Sequence, residues 1–186
     1  FFSRRIGLHQ GQAIPIIGGL RLSGKVNKNW RIGLMNMQTS STDIISATDT
    51  VSFAPQNYTV AAIQRQVFKR SNIAGIVVNQ QGINKTGIQH NDYNRIIGLD
   101  YNLASANNKW QGKFFYHFSF TPNQQKIPGA NASWLMYNTR KWEIHWNHEY
   151  VDKFYNAAVG FVPRNQIYNP EKYTMEKLTY WRLEPS

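Results

Sequence analysis

The stretch Arg95-Ile96-Ile97-Gly98-Leu99-Asp100-Tyr101-Asn102-Leu103, with the run Trp110-Gln111-Gly112-Lys113-Phe114-Phe115-Tyr116-His117-Phe118-Ser119-Phe120 that follows a polar turn, decides the fold. Side chains on a β-strand point to opposite faces with period two. Ile97, Leu99, Tyr101 and Leu103 therefore share one face, and Gly98, Asp100 and Asn102 the other. In the second run Trp110, Phe114, Tyr116, Phe118 and Phe120 oppose Gln111, Lys113, His117 and Ser119. Further along, Trp142, Ile144, Trp146 and Tyr150 oppose Glu143, His145, Asn147 and Glu149. One face is aromatic and apolar; the other is polar and charged. Helical signals are nearly missing.

The connections alternate in length. Short polar turns are expected at 26–29, 69–72, 106–109 and 139–141, and longer links at 39–56, 81–92 and 121–130. This spacing predicts four hairpins, or eight strands, with a less regular segment from Asn156 onward. Trp30, Trp110 and Trp142 each stand just after a short turn, beside a cluster of Lys and Arg. The second hairpin reads less cleanly, because Gln64, Arg65 and Gln66 interrupt the alternation. A β-bulge there would restore it.

At 186 residues the chain is long enough for one domain. It contains no cysteine, which excludes disulfides, thiolate zinc sites and a cysteine nucleophile. With 21 Lys+Arg against 10 Asp+Glu the formal charge is +11, and 14% of residues are aromatic. Such a composition is ordered. No apolar run is long enough for a spanning helix. A membrane barrel stays open, because alternating strands never raise the mean hydropathy, here −0.52. The abrupt opening at Phe1 and the ending at Ser186 read as a fragment: 1–15 as a lead-in or inward-folded segment, and 16–186 as strands and loops of a longer barrel domain.

Alternation alone fits a soluble sandwich or lipocalin-like barrel as well as a membrane barrel. Bulky rings at every second position would overfill a finite core, whereas lipid sets no such volume limit. Strand length, polar alternate faces, Trp at turn edges and unequal connections together favour a transmembrane antiparallel β-barrel of the outer-membrane type. Trp30, Trp110 and Trp142 would then form an aromatic girdle at the periplasmic rim.

Phe1-Phe2-Ser3-Arg4-Arg5-Ile6-Gly7 and Val159-Gly160-Phe161-Val162-Pro163-Arg164 resemble landmarks of a Bacteroidota-type outer-membrane family. Leu22-Ser23-Gly24-Lys25-Val26, Trp30-Arg31-Ile32-Gly33-Leu34-Met35-Asn36 and Asn57-Tyr58-Thr59-Val60-Ala61 stand between them in the matching order. The resemblance covers essentially the whole chain. It implies a C-terminal β-barrel domain of unknown function, preceded in the family by a domain like a family-nine carbohydrate-binding module. Ile63-Gln64-Arg65-Gln66 carries less charge than the corresponding family run. No sugar-binding role falls on any residue of this chain.

No nucleotide loop, nucleophile elbow or His-Glu-x-x-His helix is present. His145 and His148 point to opposite strand faces and cannot grip one ion. Glu143, His145, Asn147 and Glu149 share a face, and pore-lining polarity accounts for them without catalysis. No cofactor, metal or catalytic residue is assigned. The polar candidates for the lumen are Arg4, Arg5, Asp100, Lys113, Glu143, His145, Glu149 and Arg164. Asp100 is expected to pair with Lys113 across strands, and Arg4-Arg5 to pin an inward-folded segment to lumenal acids such as Asp100. The interior is expected to be packed and polar. Asp49-Thr50-Val51 resembles a bacterial O-glycosylation site at Thr50.

The leading expectation is therefore a bacterial outer-membrane barrel acting as anchor, pore or scaffold, linked to carbohydrate handling or a larger assembly. Its partners would be the lipid bilayer and lipopolysaccharide, outer-membrane subunits, and a glycan held by an N-terminal domain outside this chain. One alternative is a surface carbohydrate-processing enzyme whose site lies in other sequence. The other is a soluble basic β-domain that binds nucleic acid. The second is disfavoured because the basic residues sit at turns, off the aromatic faces.

Overall fold

The computed structural model describes residues 5–9, 12–45, 50–84, 86–160, 166–169 and 174–185. These residues form strands and no helix, so the fold is all-β. A small ribbon pairs β1 (Leu8–His9) with β2 (Gln12–Ala13). The main sheet begins with β3 (Ile16–Lys25) and β4 (Trp30–Thr39). A side hairpin of β5 (Thr42–Ile45) and β6 (Thr50–Phe53) follows. The sheet resumes with β7 (Gln56–Val67), β8 (Ser71–Asn84), β9 (Gly87–Ala104), β10 (Trp110–Phe120), β11 (Gly129–Asn138) and β12 (Glu143–Val151). A second hairpin, β13 (Gln166–Asn169) with β14 (Thr174–Lys177), precedes the last strand, β15 (Tyr180–Pro185). The main sheet has nine strands in the order β15-β12-β11-β10-β9-β8-β7-β4-β3, each antiparallel to its neighbours.

The expected barrel is not closed. β3 and β15 are the two edges of an open sheet, and no pairing joins them among the described residues. In an antiparallel order of nine, the first and last strands run the same way. Antiparallel closure of such a sheet needs an odd number of further strands. The expected eight strands become nine because β15, in the segment read as irregular, returns to pair with β12 from Trp146↔Pro185 to Val151↔Tyr180.

The four short connections fall at one end of the sheet: 26–29, 68–70, 105–109 and 139–142. The expected long link at 81–92 is instead strand. β8 and β9 continue as a ribbon to Asn84↔Gly87, past a register shift between Gln81 and Ile83. No bulge interrupts the second hairpin, since β7 and β8 pair in one register from Gln56↔Gly82 to Val67↔Ser71. Gln64 and Gln66 stay on the polar face, and Arg65 stays on the apolar one with its guanidinium 5.3 Å from the Trp30 ring. The faces alternate without a break, and the hydropathy pattern is interrupted because Arg65 puts a cation on the apolar face.

The two faces differ as the period predicts. On the outer face stand Leu20, Leu22, Leu34, Ile63, Val77, Ile97, Leu99, Tyr116, Phe118, Ile144 and Trp146, all exposed. On β9 this belt runs from Ile97 to Leu103, about 20 Å of strand at roughly 3.3 Å per residue. It stops at a cross-strand polar ladder. Asn36 Nδ2 donates to Asn57 Oδ1 (3.0 Å) and Thr59 Oγ1 (2.8 Å), and Arg95 Nε donates to Asn79 Oδ1 (3.1 Å).

The inner face is not polar throughout, contrary to expectation. Away from the short turns, Val60, Val78, Ile96, Ala130 and Val151 form a core with Tyr155, Ala157 and Val159. The chain after β12 folds back over the inner face there. Asn94 Nδ2 donates to Asn156 O (2.8 Å), Ala158 N donates to Asn94 Oδ1 (3.2 Å), and Asn156 N donates to Ser119 Oγ (3.1 Å). Asn94 and Ser119 are both buried, so these bonds satisfy groups that water cannot reach.

Candidate functional site

The polar half of the inner face lies toward the short turns. β9 and β10 are in register as Asp100↔Phe115, Asn102↔Lys113 and Gly98↔His117, which brings Asp100 between the Lys113 and His117 side chains. Lys113 Nζ is 3.8 Å from Asp100 Oδ2, the pairing expected from the sequence. His117 Nε2 is closer, 2.8 Å from Asp100 Oδ1. The ring reaches that carboxylate by lying over Gly98, where a Cβ would collide with it. The His117–Asp100 contact and the Lys113–Asp100 pair together tie β9 to β10 across the inner face.

Glu143, His145 and Glu149 lie on the same inner face through β12. His145 Nε2 stands 3.0 Å from Glu143 Oε1 without the alignment of a hydrogen bond. Arg182 of β15 lies 3.6 Å from Glu149 Oε2 and 3.6 Å from Glu184 Oε1. Arg182 was not singled out in the sequence, because nothing there indicated that β15 returns to the sheet. Among the described residues no group of three His, Asp or Glu side chains has metal-holding geometry.

Arg5 does not reach Asp100. Its Nη1 donates to Ala157 O at 3.2 Å, and Ile6 packs against the core. The lead-in is thus tied to the returning segment. Arg4 and Arg164 lie outside the described residues, as does the side chain of Thr50. Trp30 and Trp110 open β4 and β10, and Trp142 immediately precedes β12, all three at the short-turn end. Trp110 is 44% and Trp142 68% exposed.

The basic residues noted at the turns are gathered by the hairpins. Lys25, Lys28, Arg31, Lys69 and Arg70 line one open cleft at the short-turn end, whereas Lys109, Arg140 and Lys141 do not. The sequence showed the cations but not which turns are neighbours. No protein-family model, curated protein or solved structure matches this chain.

Proposed function

We propose that this sheet is part of the wall of an outer-membrane β-barrel and serves as anchor, pore or scaffold. One observation carries the reading: the belt of exposed apolar side chains along the outer face. A half-exposed Leu, Ile or Phe forgoes on the order of 1 kcal/mol in water. A dozen together rival the whole ~5–15 kcal/mol net stability of a domain. Lipid removes that cost. A polar interior opposite an apolar exterior, with strands of about nine or more residues, is the pattern of such barrels. Further strands, from sequence beyond these residues or from another chain, would complete the ring and satisfy the edges of β3 and β15.

The resemblance to the Bacteroidota-type family adds an expected setting. The barrel would sit among lipid and lipopolysaccharide in the bacterial outer membrane, and a neighbouring carbohydrate-binding domain would supply any contact with glycan.

Because the chain has no cysteine, single introduced thiols report cleanly. A fluorophore on Leu99→Cys or Phe118→Cys should be quenched by lipid-borne quenchers in reconstituted protein, and one on Asp100→Cys should not. Equal quenching on both faces, or none at Leu99, overturns the reading.

A further inference from the structure

We propose that the cleft at the short-turn end of the inner face binds a multiply charged oxyanion, a phosphate-bearing group. Lys25 and Arg31 are direct cross-strand partners on the inner face. Like charges set opposite each other destabilise a strand pair, so folding supplies no reason for this one. Lys28 from the first turn, and Lys69 and Arg70 from the second, line the same cleft of about 330 Å³. No carboxylate lines it. Among the described residues no acid pairs with any of these five cations. Asp100, in the adjoining cavity, is already engaged by Lys113 and His117.

Five positive charges with no internal counter-charge form a site whose missing partner is an anion. A phosphate group suits it chemically. The Arg31 and Arg70 guanidinium forks can each grip two oxygens, the lysines add point charges, and Gln64 supplies a neutral amide donor. No aromatic ring lines the cleft, so it lacks the platform on which single-stranded bases stack. The inference does not depend on the membrane reading, because the same cleft exists whether lipid or water covers the outer face.

The test uses the full chain, in detergent or in plain buffer, and calorimetric titration with pyrophosphate. Wild-type protein should bind it. Lys25→Gln/Arg31→Gln should bind about tenfold more weakly or worse, and Lys109→Gln/Lys141→Gln should bind as wild type. Pyrophosphate should also raise the melting temperature of wild type and not that of the Lys25/Arg31 variant. With ligand absent, that variant should melt no lower than wild type, since it loses a repulsion. A second arm titrates short-chain phosphatidylglycerol against short-chain phosphatidylcholine. Binding of phosphatidylglycerol alone, sensitive to Lys25 and Arg31, identifies a lipid phosphate as the ligand; binding of pyrophosphate alone identifies a soluble one. Equal weakening by the two double variants would reveal only diffuse charge and overturn the proposal. So would binding of neither phosphate probe.

Discussion

The imidazole of His117 lies over the bare Cα of Gly98, its cross-strand partner, and reaches 2.8 Å from Asp100 Oδ1 only because Gly98 has no side chain. A Cβ at 98 would strike the ring at Cδ2, Nε2 and Cγ, so the whole imidazole would have to leave. Gly98→Ala should therefore cost about 1–3 kcal/mol, the usual range for overpacking. The decisive comparison is the double variant. Gly98→Ala/His117→Ala should recover most of that loss in denaturant unfolding, because the collision is gone. Additive losses would show that residue 98 matters for another reason.

Asn94 holds the returning segment by both ends of its amide. Asn94→Ala removes a buried amide and leaves the carbonyl of Asn156 and the N–H of Ala158 without these partners in a partly buried place. The expected loss is about 2–3 kcal/mol, together with faster proteolysis within 152–160. Unchanged protection would mean that Tyr155, Ala157 and Val159 hold the segment by packing alone.

Much of this architecture was legible in the alternation. The side assignments of Ile97 to Leu103 and of Glu143 to Glu149 follow from period two, and so does the pairing of Asp100 with Lys113 once two strands are neighbours. What was illegible needed register or long-range return. Glycine carries no hydropathy signal, so Gly98 revealed nothing of the ring above it. The partners of Asn94 lie 62 and 64 residues away. The polar run Gln64 to Gln66 read as a broken strand because Arg65, on the outer face over the Trp30 ring, is as polar as its inner-facing neighbours. Interior apolarity was missed for a related reason: Val60, Val78 and Ile96 lie among outer-face apolar residues such as Ala61, Val77 and Ile97, and the doubled signal hides which face each serves.

Phe68 occupies the left-handed region at φ 53°, in the turn between β7 and β8, with its side chain 86% exposed. A non-glycine residue there costs roughly 1–2 kcal/mol, and a large aromatic has no local hydrogen bond to offset it. Phe68→Asn or Phe68→Gly should raise stability to urea by about 1 kcal/mol. A drop instead would show that the ring is covered by lipid or by another chain.

Burial pushes the phenol of Tyr155 up to about 12. The unfolded chain releases the same proton near 10, so between about pH 10 and 12 the unfolded state holds fewer protons. Stability therefore falls as pH rises through that window and is unaffected by this group below it. The phenolate absorbance of wild type minus that of Tyr155→Phe should show one group with its midpoint near the upper limit. A midpoint near 10 would place the ring in water.

Trp30, Trp110 and Trp142 stand at the short-turn end of three hairpins, and the connections 40–55, 121–128 and 152–179 leave from the other. An indole prefers the depth where its ring meets acyl chains and its N–H meets water. In the proposed barrel, three such rings at one end would mark one interface. Outer-membrane barrels carry short turns on the periplasmic side and longer loops outside. Protease added to intact cells should therefore cut within 40–55 and leave 26–29 and 105–109 whole. Permeabilising the outer membrane should then expose the short turns. Cleavage at 26–29 with 40–55 spared would reverse the topology, and equal cleavage at both ends in intact cells would remove the membrane from the account.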